Sequence, residues 1–280
     1  LSPIWSQLIA ITGAESAYNS TDYDERAVLK FLISDTSSPV SIVSCLFSAR
    51  ENARTIRDVI PRDGWETINT AYLKAKEAAP QATNKRTRFA FLADVIGECQ
   101  TITGILSGTM NRDAGYTFLR IGRKLERADM TSRIIDIRSA NLFPDATDAK
   151  IAAKATYDNL QWMSVLKSLS GYHMYRREMQ IRIQRRDVLQ FLIQSEIFPR
   201  AISQCIRDVQ SSVQGLHNHD MVLLVIMRIK RQLENDGIDQ QLQSDLQLYI
   251  DHLQIGFAQL HDELAKTYFS GQLQRSSQAA

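Results

Sequence analysis

Phe118-Leu-Arg-Ile-Gly-Arg-Lys-Leu-Glu-Arg-Ala-Asp-Met-Thr-Ser-Arg133 decides the fold class of this 280-residue chain. Within this stretch and just beyond it, Phe118, Ile121, Leu125, Ala128, Ser132 and Ile135 recur at alternating spacings of three and four. That is the seam of an amphipathic helix, because a strand would return to the same face at every second residue. Ile42, Leu46, Ala49, Ala53 and Ile56 repeat the pattern in the segment after Pro39. Further helices are expected over 63–79, 85–110, 146–172, 220–235 and 239–269. Pro61, Pro80, Pro144 and Pro199 fall where one helix stops and the next begins. Ser38-Pro39 reads as an N-cap followed by a proline at the first helical position, and Asn-Asp-Gly at 235–237 as a helix end. No two strand-like runs are joined by a hairpin signal. The predicted class is all-α, a multi-helix bundle.

Composition narrows the function classes. Lys and Arg number 33 against 31 Asp and Glu, for a formal charge of +2, so no polyanion-sized field points to nucleic acid. The three cysteines, Cys45, Cys99 and Cys205, contain no Cys-x-x-Cys, which argues against a disulfide framework and for a reducing, cytoplasmic setting. The longest uninterrupted apolar run, Met221 to Met227, is far shorter than the ~18 residues of a membrane span, so no membrane partner is expected. A chain of this length buries about three quarters of its unfolded surface and needs neither disulfide nor metal to fold.

An internal repeat is visible at an offset of 160 residues. Arg26, Val28, Leu29, Phe31, Leu32, Ile33, Pro39, Ile42 and Cys45 are matched by Arg186, Val188, Leu189, Phe191, Leu192, Ile193, Pro199, Ile202 and Cys205. Nine identities over the 24 positions from Asp24 exceed the roughly one or two that average residue usage gives. The chain therefore reads as one domain, 1–280, of two related halves, about 1–111 and about 112–280. The charged helix, Arg112 to Arg138, precedes the second copy and has no counterpart before the first, so the natural chain is expected to begin some tens of residues earlier with another such helix.

Candidate chemistry lies on two stripes. Beside the seam of the charged helix run Leu119, Gly122, Glu126, Asp129 and Arg133, with Arg123 and Arg127 flanking Glu126. In the segment after Pro39, Val43, Phe47, Arg50, Arg54 and Arg57 form a stripe that turns from apolar to basic, with Glu51 beside it. Three readings stay open at this point. The charges are solvated i,i+4 pairs, each giving about 0.2–0.5 kcal/mol. Alternatively, Glu126 and Arg127 form a partly buried ion-pair network that fixes how helices cross, or the arginines form a guanidinium cluster that receives a carboxylate or phosphate. His217, His219 and His261 read as capping or solvated groups, Cys45 and Cys205 as small core residues, and Trp5, Trp65 and Trp162 as packing. Glu-x-x-His, His-Glu-x-x-His, Gly-x-Ser-x-Gly, the Walker loop and the dinucleotide fingerprint are absent, so no catalytic residue, metal or cofactor is assigned.

The charged helix, with its Glu126-Arg127 pair, resembles the signature of the bacterial alpha-E family of all-helical domains. The stretch Val28 to Ile33, then Ser-Ala-Arg-Glu-Asn-Ala-Arg-Thr-Ile-Arg57 with Trp65 soon after, is similar to the family's central block. Tyr172 to Arg177, the Pro199 segment and Leu260 to Phe269 are similar to its C-terminal blocks. Family chains usually open with a further helix bearing a Glu-Arg motif, which this sequence lacks. The resemblance implies a setting beside a circularly permuted ATP-grasp protein, often with a transglutaminase-like peptidase, and hence a cytoplasmic peptide- or amide-forming system. It carries no established catalytic residue. The expected role is a non-catalytic helical partner of an ATP-grasp amide ligase or its peptide substrate, with the Arg/Glu stripes lining a groove between the halves. The alternatives are an enzyme or ligand-binding protein in which the stripe binds a carboxylate or acyl-phosphate and Glu126 acts as a base, and a structural homo-oligomer.

Overall fold

The computed structural model describes residues 3–140, 151–179, 182–235 and 246–269, which form twelve α-helices and, among the described residues, no strand. The chain divides into two compact units, Leu1–Tyr116 and Thr117–Ala280. Pro144, the residues 146–150 and 239–245 of two expected helices, and most of the turn expected at 235–237 lie outside the described residues.

The first unit contains α1 (Pro3–Ile11), α2 (Glu25–Ile33), α3 (Ile42–Thr55), α4 (Arg62–Ala78) and α5 (Lys85–Thr109), with a 3-10 turn over Ala79–Thr83 between the last two. Helix α2 is apolar on two sides and sits between two small cores. Val28 and Phe31 pack with Ile9, Ala14 and Tyr18. Leu29 and Ile33 pack with Val43, Leu46, Ala71, Ala75 and Phe91. Caps follow local chemistry: the Asp24 side chain accepts from the Ala27 N–H at 2.8 Å, and Ser41 from the Ser44 N–H at 3.1 Å. The α3 cap is therefore Ser41 and not Ser38. Pro39 stands in the turn before the helix, and Ser38 is buried there.

Helix α5 is the described helix that is long and apolar enough, by length and composition, to cross a membrane, and little of its apolar window is buried. A search for uninterrupted apolar runs passes over it, because Asp94 and Glu98 divide an Ala-, Gly-, Ile- and Thr-rich stretch.

The second unit holds nearly all of α6 (Ala114–Ala140), then α7 (Ile151–Ser168), α8 (Tyr172–Met179), α9 (Arg185–Gln194), α10 (Ile202–Val213), α11 (Asp220–Asn235) and α12 (Leu246–Tyr268). The α6 seam is buried as its spacing predicts: Ile121, Leu125, Ala128, Ser132 and Ile135 all face the core. The four apolar ones join Trp162, Tyr175, Phe191, Ile206 and Leu253 in one continuous cluster.

The turn that closes α7 is made by Ser170, which takes a left-handed φ of 54°. The Gly171 N–H reaches Leu166 O at 2.7 Å and the Ser170 N–H reaches Lys167 O at 3.0 Å, the two bonds of a Schellman cap. A serine pays a Cβ penalty in this conformation that glycine does not. Ser170→Gly should therefore raise stability by about 1 kcal/mol, read as a higher urea midpoint with unchanged slope. A decrease would mean that the serine side chain contributes more than the backbone strain removes.

Positions 160 apart share local structure. Asp24 and Gln184 are the N-caps of α2 and α9, and Ser41 and Ala201 those of α3 and α10. Cys45 and Cys205 each direct Sγ at the carbonyl oxygen of the proline six residues before, Pro39 or Pro199. Burial separates these two thiols. Cys205 is fully buried, whereas Cys45 is exposed, so the reading of both as core residues holds for Cys205 alone.

Candidate functional site

The nine residues singled out in the sequence fall into two groups, one in each unit. In the first unit α3 carries Arg50, Glu51 and Arg54, and Arg57 stands in the turn that follows it. Arg50 is the anchor, with a side chain only 27% exposed. Its Nε donates to Asn69 Oδ1 at 2.7 Å, its Nη1 pairs with Glu51, and its guanidinium lies over the rings of Trp65 and Tyr72 at 5.8 and 5.6 Å. Glu51 also accepts from Arg54 Nε at 2.9 Å. Arg57 covers Trp65 from the outer side at 4.9 Å, and Phe47, 46% exposed, leans on Tyr72 with ring centroids 5.6 Å apart.

Three guanidinium groups and three aromatic rings thus gather on the α3/α4 face. Trp65, Asn69 and Tyr72 are its residues that the sequence reading missed. Their spacing of four and three along α4 was the available signal, since it places them on one side of that helix. Each guanidinium-over-ring contact contributes about 0.5–1 kcal/mol at such a half-exposed site, so the arginines are held in place before anything binds.

In the second unit the predicted residues separate. Asp129 and Arg133 form an i,i+4 pair at 2.6 Å. Glu126 is exposed, whereas Arg127 is half-buried and close enough to Arg200 and Cys205 to act on both. Arg123 is also half-buried. The central charges were not anticipated: Lys124, 8% exposed, and the half-buried Asp208 in the second turn of α10. Lys124 Nζ meets Asp208 Oδ2 at 2.5 Å and Arg120 Nη2 meets Oδ1 at 3.0 Å, which ties α6 to α10. Thr131 adds a hydrogen bond from Oγ1 to the Arg200 carbonyl oxygen at 2.9 Å.

Electrostatics follow from this packing. Burial would raise the pKa of Asp208, but hydrogen bonds and charge from Lys124, then Arg120, outweigh it and hold the carboxyl below its ordinary range. Burial pushes the Cys205 thiol up to about 11 despite the cations around it. Arg200 is lowered, first by burial and then by Arg127. The ion-pair network that ties α6 to α10 is made by Arg120, Lys124 and Asp208 and not by Glu126, which is exposed. Arg50, Arg54 and Arg57 lie together in the first unit. Among the described residues no three His, Cys, Asp or Glu side chains come together as a metal site.

Comparison with known proteins agrees with this picture at the level of family. No solved structure matches the chain. It is similar to an uncharacterized protein of Mycobacterium bovis and to another of Mycobacterium tuberculosis, each 28% identical over 122 residues, or 41% of this chain. The matched region spans 14% of the length of either relative. A family model described as a predicted alpha-helical domain with a conserved ER motif matches residues 2–269, nearly the whole chain. With its helices, its Glu126-Arg127 pair and that match, this chain belongs to the Alpha-E family.

Proposed function

We propose that the chain is a non-catalytic helical partner that binds or positions an ATP-grasp amide ligase, or that ligase's peptide substrate, in a bacterial cytoplasmic system that includes a transglutaminase-like protein. The observation that carries this reading is the α3/α4 face. Arg50 is clamped by Asn69 and Glu51 against Trp65 and Tyr72, and Arg54 and Arg57 are displayed beside it. Arg, Trp and Tyr are the residues that dominate protein–protein hot spots, because they bring large area at low entropic cost. A general base, by contrast, must sit within hydrogen-bond reach of its substrate in a shaped site. Glu126 stands exposed on α6.

The two halves are, in the same reading, copies of one ancestral unit. Matched caps at Asp24/Gln184 and Ser41/Ala201 and matched cysteine–proline contacts support this, beyond the shared residues.

The test is co-purification of the tagged full-length protein from its own host, alongside Arg57→Ala. Arg57 is exposed and its ring contact is worth about 1 kcal/mol at most, so its loss should lower the melting temperature by only a few degrees while recovery of the ligase falls about tenfold. Recovery of the protein alone, with or without Arg57, would remove the partner reading. A second reading, a site for a carboxylate or acyl-phosphate, is favoured by the approach of Arg127 to the half-buried Arg200. Calorimetric binding of ATP or an amino acid that Arg127→Gln abolishes would decide for it.

A further inference from the structure

The other side of α4 carries a surface that none of the chemistry above uses. A groove of about 740 Å³ runs along α4 and α5, floored by Leu46, Ala71, Ala75 and Phe91. Its upper walls are made of small residues, Ala78 from α4 and Ala93 and Gly97 from α5. An added Cβ at Gly97 would meet nothing within 4 Å, so bulk brought from outside has room to enter. Apolar surface continues outward along α5 through Ile96, 57% exposed, and Phe89, 78% exposed. Packed interiors leave few voids larger than a water molecule, and exposed apolar ground of this kind marks a binding face.

Charge states what fits. The rim carries Glu77 on α4 and Asp94 and Glu98 on α5 against one cation, Lys74, and that cation is paired with Glu98 at 2.7 Å. Glu77 and Asp94 remain on opposite walls, both exposed. A second copy of this chain that docked through the same face would set carboxylate against carboxylate. Anionic lipid would meet the same repulsion. A cationic amphipathic helix satisfies both the apolar floor and the acidic rim. The lining from Phe91 to Thr101 extends about 15 Å along α5, room for roughly three helical turns.

We propose that the α4/α5 groove is a docking site for a basic amphipathic helix of a partner protein, which inserts large apolar side chains between Ala78 and Ala93 and places Arg or Lys between Glu77 and Asp94. This surface is separate from the Arg50 face, and its occupation does not depend on an ATP-grasp ligase.

The probe is a fluorescein-labelled 18-residue peptide with leucine on one face and arginine on the other, compared with the same peptide carrying glutamate for arginine. Titrated with the full chain, the arginine peptide should bind at least about tenfold more tightly, weaken with salt, and order as a helix. Ala93→Trp fills the groove from an exposed position and should abolish that binding. Asp94→Lys, also exposed, should reverse the preference between the two peptides, and it keeps the question decidable if the tryptophan variant melts early. Equal binding of both peptides, no binding of either, or arginine-peptide binding indifferent to both variants would overturn the proposal. So would sedimentation of the protein with phosphatidylglycerol vesicles that is lost in Ile96→Lys, which would assign the face to lipid.

Discussion

Phe191→Ala is expected to destabilise the second unit by about 4 kcal/mol, the middle of the range for emptying a core aromatic site. Phe191 is 1% exposed and lies between Tyr175, edge-on at 5.5 Å, and Phe198, stacked at 4.6 Å. Neither ring is able to fill the space alone. Gly171 marks how tight the region is, because a Cβ there would stand 2.9 Å from Phe198 Cζ. The matched Phe31 is 8% exposed and has one ring neighbour, Tyr18 at 4.9 Å. Its truncation should cost less, about 3 kcal/mol. Urea unfolding followed by tryptophan fluorescence checks both, since Trp162 reports on the second unit and Trp65 on the first. Separate transitions would require fitting each unit by itself. A loss below about 1 kcal/mol at Phe191 would contradict its place at the centre of this core.

Asp208→Asn should cost about 3 kcal/mol at neutral pH, because it leaves Lys124 almost fully buried with no counter-charge. Replacing the pair together, Lys124→Met with Asp208→Leu, should restore most of that loss, since desolvation of both ions is then avoided. The pH dependence has a definite sign. The carboxyl of Asp208 is held below its ordinary value in the folded chain, so its contribution is complete above the unfolded pKa of about 3.9 and disappears as pH falls through the folded value. Acid titration of stability should therefore be flatter in Asp208→Asn than in the parent. A variant with the parent's acid slope would show that other carboxylates govern that limb.

Helical architecture was legible because it depends on local spacing. The α6 seam, the α4 and α11 boundaries and the position of Pro199 between two helices needed no tertiary information. Ser38 misled for a local reason too: Ser41 is a competing cap three residues on, and only backbone geometry chooses between them. The sites were half legible. Arg50, Glu51 and Arg54 lie within one turn and a half of α3, so their pairing could be read along the chain. Trp65 and Tyr72 act on Arg50 only because α4 folds back on α3. Lys124 and Asp208 stand 84 residues apart, and nothing local to either distinguishes a buried charge from a solvated one. For the same reason α5, apolar by composition, gave no sign of how little of it the first unit covers.

The cysteines supply the molecule with its own clock. Cys45 and Cys205 occupy matched positions, yet one thiol meets solvent and the other is sealed with its ionisation delayed to about pH 11. An alkylating reagent added to the native protein at neutral pH should consume the exposed Cys45 and Cys99 first, Cys99 the slower of the two because burial raises its pKa. Cys205 should then react only as fast as α10 parts from α6, since thiolate forms once the core admits water. Mass spectrometry of the slow adduct would give the opening frequency of the second unit with no engineered label, and Asp208→Asn should quicken it.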